Sequence, residues 1–327
     1  MTSLNLIRRG NAVAAPIADD FATDRDVESC EVSYELVGCH GAPVVAVLGG
    51  ISSTRHVTAS PSDPSPGWWE EVVGHGRAID TRKFRVLSID YLASGTETRG
   101  VTTDDQAAAL AVALDHAGIG RLHAVVGASY GGMVALAFGA AYAERVNRLV
   151  VISAAHESDP MATALRHLQR RVIALASDVG RERDGLAIAR GIAMTSYLTA
   201  RHFEERLDDL GSRDARVLED RIGRYLKIRG DQFAEQWTPE RYNALSLSLD
   251  LHAVRPEDVK VPTSIVAISG DRLVPVAQSR ELARRLGGPS QLIELDSSLG
   301  HDAFLGDSAR VAPFINELLN LGTEVVS

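Results

Sequence analysis

Short and almost wholly apolar runs recur along the chain, each bounded by turn residues. They are Pro43–Leu48, Phe84–Ile89, Leu122–Val126 and Leu149–Ile152, followed after a long gap by Ser264–Ile268 and Gln291–Leu295. A strand wetted on one face alternates polar and apolar residues, whereas a parallel strand covered on both faces stays apolar throughout. Ala-rich stretches with helical spacing, Thr103–Ala117 and Gly132–Arg145, lie between the runs and can serve as crossovers. The pattern predicts an α/β fold with a mostly parallel central sheet flanked by helices.

Between Ser153 and Thr263 the character changes to a stretch rich in Arg, Asp, Glu and Leu. Leu165, Leu168, Val172 and Leu175 recur at helical intervals, as do Ile222, Tyr225 and Leu226. This predicts a helical cap over residues 156–255, inserted into a core made of residues 27–155 and 256–327. Residues 1–26 are expected to form an N-terminal extension. No fixed-period repeat and no long low-complexity tract interrupts this plan.

The candidate chemistry sits at the junction of a strand and a helix. Gly127-Ala128-Ser129-Tyr130-Gly131 follows an apolar run and opens a helical one, the context in which Gly-x-Ser-x-Gly makes a nucleophile elbow. Its glycines remove side chains that would collide with the neighbouring strand and helix, and the serine hydroxyl stands clear above the strand ends. The Tyr130 amide, at the helix start, is placed to donate to a developing oxyanion. A second donor is expected from the loop after the first apolar run, where paired glycines permit close approach: the amide of Ile51 or of Gly50. An acid and a base should follow on loops after late strands, in that order. Asp271 after Ile265–Gly270 and His301 after the last apolar run fill those places. His301 would take the Ser129 proton while Asp271 fixes its tautomer. His123, inside a predicted strand, and His116, His167 and His202, on predicted helices, read as packing or surface residues.

Composition narrows the classes. Among 327 residues, 34 Lys+Arg against 43 Asp+Glu give a net charge of −9, which argues against nucleic acid as a partner because phosphate would be repelled. Cys30 and Cys39 lack the spacing of a metal or redox site and read as ordinary buried thiols, so no metal is expected. The N-terminal residues lack the apolar core of a secretory signal, and no run reaches the roughly 20 apolar residues of a membrane span. A cytoplasmic protein without membrane contact is expected.

Longer strings identify a resemblance. Pro66-Gly67-Trp68-Trp69-Glu70-Glu71-Val72-Val73-Gly74, Gly76–Phe84, Leu168–Ile173, Gly185–Arg190, Tyr225-Leu226, Gly230-Asp231-Gln232-Phe233, Tyr242 and Gly300–Leu305 resemble the homoserine O-acyltransferases, over about Glu31 to Phe314. The resemblance implies an α/β-hydrolase fold and ping-pong transfer of an acyl group from acyl-CoA, a co-substrate and not a resident cofactor, to the hydroxyl of L-homoserine for methionine biosynthesis. It also implies Arg170 as anchor of the homoserine carboxylate, Asp302 as partner of its ammonium group, and a homodimer formed through the cap. A solvated helix face is the alternative for Arg170, with Arg171 beside it.

Two departures bear on the acyl group. The family's His-Ala-Leu-Thr-Gly loop is here Gly49-Gly50-Ile51-Ser52-Ser53, and its longer loop with Gly-Gly-Cys-Arg-Gly-Ser-Thr-Gly is here reduced to Asp90–Glu97. The small residues leave room, and Arg55 nearby offers a cation for the free carboxylate of a succinyl group, which favours succinyl-CoA slightly over acetyl-CoA. A carboxylesterase-type hydrolase, an acyltransferase to another alcohol such as serine, and an inactive α/β-hydrolase-like binding protein are the competing readings.

Overall fold

The computed structural model describes residues 8–14, 30–61, 63–93, 100–207 and 215–320. Strands β1 (Arg8–Ala14), β2 (Cys30–Gly38), β3 (Val44–Leu48), the short β4 (Val73–Gly74) and β5 (Ile79–Asp80), and β6 (Arg85–Ile89) precede helix α1 (Thr103–Ala117). Strand β7 (Ala124–Ala128), helix α2 (Tyr130–Ala141) and strand β8 (Leu149–Ile152) follow. Among the described residues five helices then intervene: α3 (Pro160–Ser177), α4 (Glu182–Tyr197), α5 (Ala200–Leu207), α6 (Ala215–Gln236) and α7 (Pro239–Asp250). The chain closes with β9 (Thr263–Ser269), α8 (Val276–Arg285), β10 (Ser290–Asp296), α9 (Ala303–Gly306) and α10 (Ser308–Asn320).

The main sheet runs β1-β2-β6-β3-β7-β8-β9-β10. Strand β2 is antiparallel to both neighbours, and all other pairings in this sheet are parallel. Alternation along each strand divides the core in two. Val44, Ala46 and Leu48 join Leu110 of α1 and Leu136 of α2 on one face, while Val45 and Val47 join Val311 and Ile315 of α10 on the other. Each such fully buried aliphatic side chain stabilises the fold by roughly 1.5–3 kcal/mol relative to an exposed one.

The six apolar runs all appear as strands, Leu149–Ile152 with its ends as predicted and the other five with shifted ends. The run predicted over Leu122–Val126 is β7, two residues later, because the strand continues through Gly127 and Ala128 into the elbow. His123 therefore precedes the strand, and its Nε2 lies 2.8 Å from the Leu319 carbonyl. Strand β2 was not legible as an apolar run, since Glu31, Ser33 and Glu35 alternate with Val32, Tyr34 and Leu36. Glu35 is nonetheless buried, against His56 Nδ1 at 3.0 Å. Arg8–Ala14, expected in an N-terminal extension, pairs along β2 as the edge strand. Met1–Ile7 lies outside the described residues. Cys39 is a free, half-buried thiol where a buried one was expected; the Cys30 side chain lies outside the described residues. No helix of the described residues is long and apolar enough to cross a membrane.

Helix α3 starts where Asp159 caps the amides of Met161 and Ala162 and Pro160 takes the first turn, and α7 starts likewise on Thr238 and Pro239. The face that α3 buries is mixed, half polar and half apolar. Leu168 and Leu175 are 56% and 59% exposed, whereas Ala162, Arg166, Gln169 and Ile173 face inward. The helix is rotated away from the phase its leucines predict, and the reason lies in the cavity beneath it.

Candidate active site

Ser129 occupies the bend between β7 and α2 at φ 54°, ψ −121°, a conformation that non-glycine residues rarely adopt. Tight packing imposes it. The Ser129 amide donates to the Ile152 carbonyl at 2.8 Å, and a Cβ on Gly131 would stand 2.2 Å from the Leu48 carbonyl oxygen, so only glycine lets the helix approach β3 this closely.

Asp271 and His301 come from the loops after β9 and β10 and meet this serine. Ser129 Oγ lies 2.7 Å from His301 Nε2, and His301 Nδ1 lies 2.7 Å from Asp271 Oδ2. The other carboxylate oxygen accepts the amides of Leu273 and Val274, each at 2.9 Å, which fixes the orientation of Asp271. Nδ1 is thereby the protonated nitrogen and Nε2 the acceptor for the serine proton. Burial disfavours imidazolium, but the Asp271 carboxylate outweighs it and raises the His301 pKa above its ordinary value.

The Pro-Gly-Trp-Trp-Glu string supports the histidine loop. Trp69 is buried and donates its indole N–H to the Phe304 carbonyl at 2.8 Å, while the Phe304 ring packs edge-on against both Trp69 and His301. Trp68 stacks on Trp69 and lines the cavity in front of Ser129. Gly67 is obligatory here, because a Cβ would fall 2.1 Å from the Val57 carbonyl carbon.

Of the expected oxyanion donors, Gly50 lies directly against the serine: a Cβ on it would be 4.0 Å from Ser129 Cβ. The Gly49 carbonyl accepts both the Gly131 amide at 2.8 Å and the Tyr91 hydroxyl at 2.7 Å. A trans peptide points its N–H opposite to its C=O, so this anchoring turns the Gly50 amide away from that cluster. The Gly50 carbonyl in turn accepts the Ser53 amide and hydroxyl, at 2.9 and 2.8 Å, which directs the Ile51 amide. Gly50 and Ile51 both line the cavity with Ser129. The Tyr130 side chain points elsewhere, its buried hydroxyl 2.6 Å from Ser248 Oγ.

The cavity has a volume of about 190 Å³, enough for an amino-acid-sized group but not for a whole coenzyme. Its roof comes from α3, α4 and α7. Arg166, Gln169, Arg190, Tyr197 and Tyr242 line it, with Asp302 beside the histidine. Burial raises the Asp302 pKa, which His301 and Arg190 partly offset. Two expected residues do not reach this space. Arg170 is turned to α7, where its guanidinium donates to Ser246 at 2.7 Å and Asp250 at 2.6 Å; it is one position, about 100° of helix, from the inward-facing Gln169. Arg55 pairs with Asp90 through both its amide, at 2.8 Å, and its guanidinium, and is not among the cavity-lining residues. The Ser94–Glu97 end of the shortened loop lies outside the described residues. Arg190, which ends the Gly185–Arg190 string and carries no role predicted from the sequence, lines the cavity and stacks on Tyr197 and Phe233 at 5.3 and 4.9 Å. Polar residues at the inward positions 166 and 169 were the available signal for the cap's contribution.

A serine on a strand-to-helix elbow, hydrogen-bonded to a histidine that is oriented by an aspartate, with loop amides beside it, defines the serine-nucleophile class of α/β-hydrolase folds. Residues 43–308 match the family described as alpha/beta hydrolase fold. A homoserine O-succinyltransferase from Xanthomonas campestris pv. campestris is 44% identical over 88% of this chain and 78% of its own length. A serine O-succinyltransferase from Litchfieldella anticariensis is 31% identical over 90% of this chain and 94% of its own. Esterase E22 superposes with a TM-score of 0.83 at 22% identity, over 96% of this chain and all of that one, a likeness of fold alone. The chain belongs to the homoserine O-acyltransferases within the alpha/beta hydrolase fold family.

Proposed function

We propose that this chain moves an acyl group from acyl-CoA to the hydroxyl of L-homoserine by a ping-pong mechanism on Ser129. The observation that carries the reading is the Ser129–His301–Asp271 relay opening into a cavity that holds both a guanidinium and a carboxylate. Ser129 Oγ attacks the thioester carbonyl as His301 Nε2 takes its proton, and the amides of Tyr130 and of Ile51 or Gly50 receive the oxyanion. The intermediate collapses, and His301 returns the proton to the departing thiolate. The homoserine hydroxyl then gives its proton to His301 and attacks the acyl-serine; collapse releases the ester and restores the Ser129 hydroxyl.

In this scheme the acceptor's carboxylate pairs with Arg190, taking the place first expected of Arg170, and its ammonium group with Asp302. Roofing by α3, α4 and α7 limits water's access to the acyl-serine, which separates transfer from hydrolysis. Succinyl-CoA is favoured over acetyl-CoA, supported by the 44% identical relative named for succinyl transfer. The product would serve methionine biosynthesis in the cytoplasm, where acyl-CoA is available. Homodimerisation through the cap is supported by an exposed apolar stripe on α3 and the turn after it, Met161, Leu168, Leu175 and Val179; a monomer at micromolar concentration in sedimentation equilibrium would count against it.

Thiol release from acyl-CoA, measured with homoserine, with serine and with neither, tests the acceptor. Release that depends on homoserine, with O-acylhomoserine formed in equal amount, is expected. Equal release without any amino acid would make the chain a hydrolase, and dependence on serine alone would reassign the acceptor.

A further inference from the structure

Asp250 holds two arginines at once. Its Oδ1 accepts Nε of Arg166 at 2.6 Å and its Oδ2 accepts Nη2 of Arg170 at 2.6 Å. The carboxylate is only 8% exposed, and Arg166 is buried as well. One carboxylate thus serves two guanidinium groups and engages only part of each. A buried guanidinium edge left without a hydrogen-bond partner is costly, and protein interiors normally avoid it.

Arg170 is committed to Asp250 and to Ser246 and does not itself line the cavity. Arg166 lines the cavity, and its guanidinium is only partly engaged: Nε binds Asp250, Nη2 reaches the hydroxyls of Ser158 and Thr163, and Nη1 has no hydrogen-bond partner among the described residues. Arg166 and His301 line the same cavity, and the guanidinium charge opposes protonation of the histidine. Elsewhere along the cavity the buried Asp271 carboxylate is taken up by His301 Nδ1. Arg190 and Asp302 offer a cation and an anion, the complement of a zwitterionic amino acid. A homoserine placed there leaves Nη1 of Arg166 unanswered.

We propose that Arg166 is the specificity-determining residue for the acyl group, receiving through Nη1 the free terminal carboxylate of a dicarboxylic acyl chain such as succinyl. The assignment rests on the acyl-transfer reading of Ser129. It replaces Arg55, whose guanidinium is paired with Asp90. It also accounts for the rotation of α3: the helix buries Arg166 and Gln169 and leaves leucines outside because its inward face serves a charged ligand.

The test compares kcat/KM for succinyl-CoA, acetyl-CoA and butyryl-CoA, with homoserine saturating, in the wild type, Arg166→Gln and Arg166→Lys. A charge-assisted hydrogen bond lost from a buried site lowers the succinyl-to-acetyl ratio about 30-fold in Arg166→Gln. Arg166→Lys, which keeps the charge on a shorter reach, is expected to recover part of that ratio, an effect that a purely structural role would not produce. The wild type alone supplies a second reading should the variants not fold: succinyl-CoA is expected to exceed the uncharged butyryl-CoA by a similar factor. Equal kcat/KM for those two donors in the wild type, or a parallel fall for all donors in Arg166→Gln, overturns the assignment while leaving acyl transfer standing. Absence of transfer from every thioester to homoserine would remove both.

Discussion

Asp271→Asn changes a single atom group at the far end of the relay, and the structure dictates which one. The oxygen that accepts the Leu273 and Val274 amides at 2.9 Å each is held by two donors, so the asparagine keeps its oxygen there and places its NH2 where Oδ2 stood, 2.7 Å from His301 Nδ1. Two donors then face each other. The imidazole relieves this by moving its proton to Nε2, which turns the nitrogen facing Ser129 from an acceptor into a donor and leaves no base. The expected loss in kcat is about 10⁴-fold, or ~5 kcal/mol of transition-state stabilisation. A second signature is available in the pH profile. The neutral imidazole is the active form, so activity falls as pH drops through the His301 pKa, and in the wild type that limb lies above 6.5 because Asp271 raises it. In the variant, residual activity should have its limb at lower pH, since the raising charge is gone. Stopped-flow thiol release between pH 5 and 9, with circular dichroism to establish folding, reads both. A loss of less than tenfold with the limb in its original place would refute the orienting role of Asp271.

Arg190→Ala should raise KM for homoserine by roughly 30-fold through loss of a charge-assisted contact, whereas Arg170→Ala should show first as a fall in melting temperature, because it removes bonds to Ser246 and Asp250; steady-state kinetics giving the opposite ranking would restore Arg170 as the carboxylate anchor. His252 is buried between the Thr103 hydroxyl and the Ala155 carbonyl, and burial lowers its pKa to about 4. Below its ordinary value of 6.5 the unfolded chain takes up a proton that the native state refuses, so stability should fall as pH drops from 6.5 towards 4, by up to roughly 3 kcal/mol. Urea unfolding of the wild type and His252→Gln across that range checks this, and parallel losses in the two would contradict it.

Much of this was legible in the sequence because it follows from local rules. The elbow announces itself through glycines that only a crowded strand-to-helix bend requires, and Asp271 and His301 fall after apolar strands that are hard to misplace. What escaped legibility depends on three-dimensional phase. Strand β2 hides its apolar face behind alternating Glu and Ser, and its buried Glu35 meets His56, which arrives from another segment. On α3, leucines set the periodicity that a sequence offers, yet tertiary packing turns Arg166 and Gln169 inward. Arg170 and Arg171 differ by one step of about 100° around the helix, whereas Arg166 lies one turn from Arg170 on nearly the same face, and residue type does not decide among them. Arg190 stood in view within Gly185–Arg190, but only its neighbours across the cavity give it a role.

The Gly49 carbonyl, accepting from Gly131 on one side and Tyr91 on the other, ties the loop after β3 to the start of α2. The two halves of the proposed anion site are therefore one mechanical part: neither amide can drift from Ser129 without disturbing a bond that also holds the other. On the proposed reading, reorganisation that a solvent would undergo at every turnover is completed once, when the chain folds.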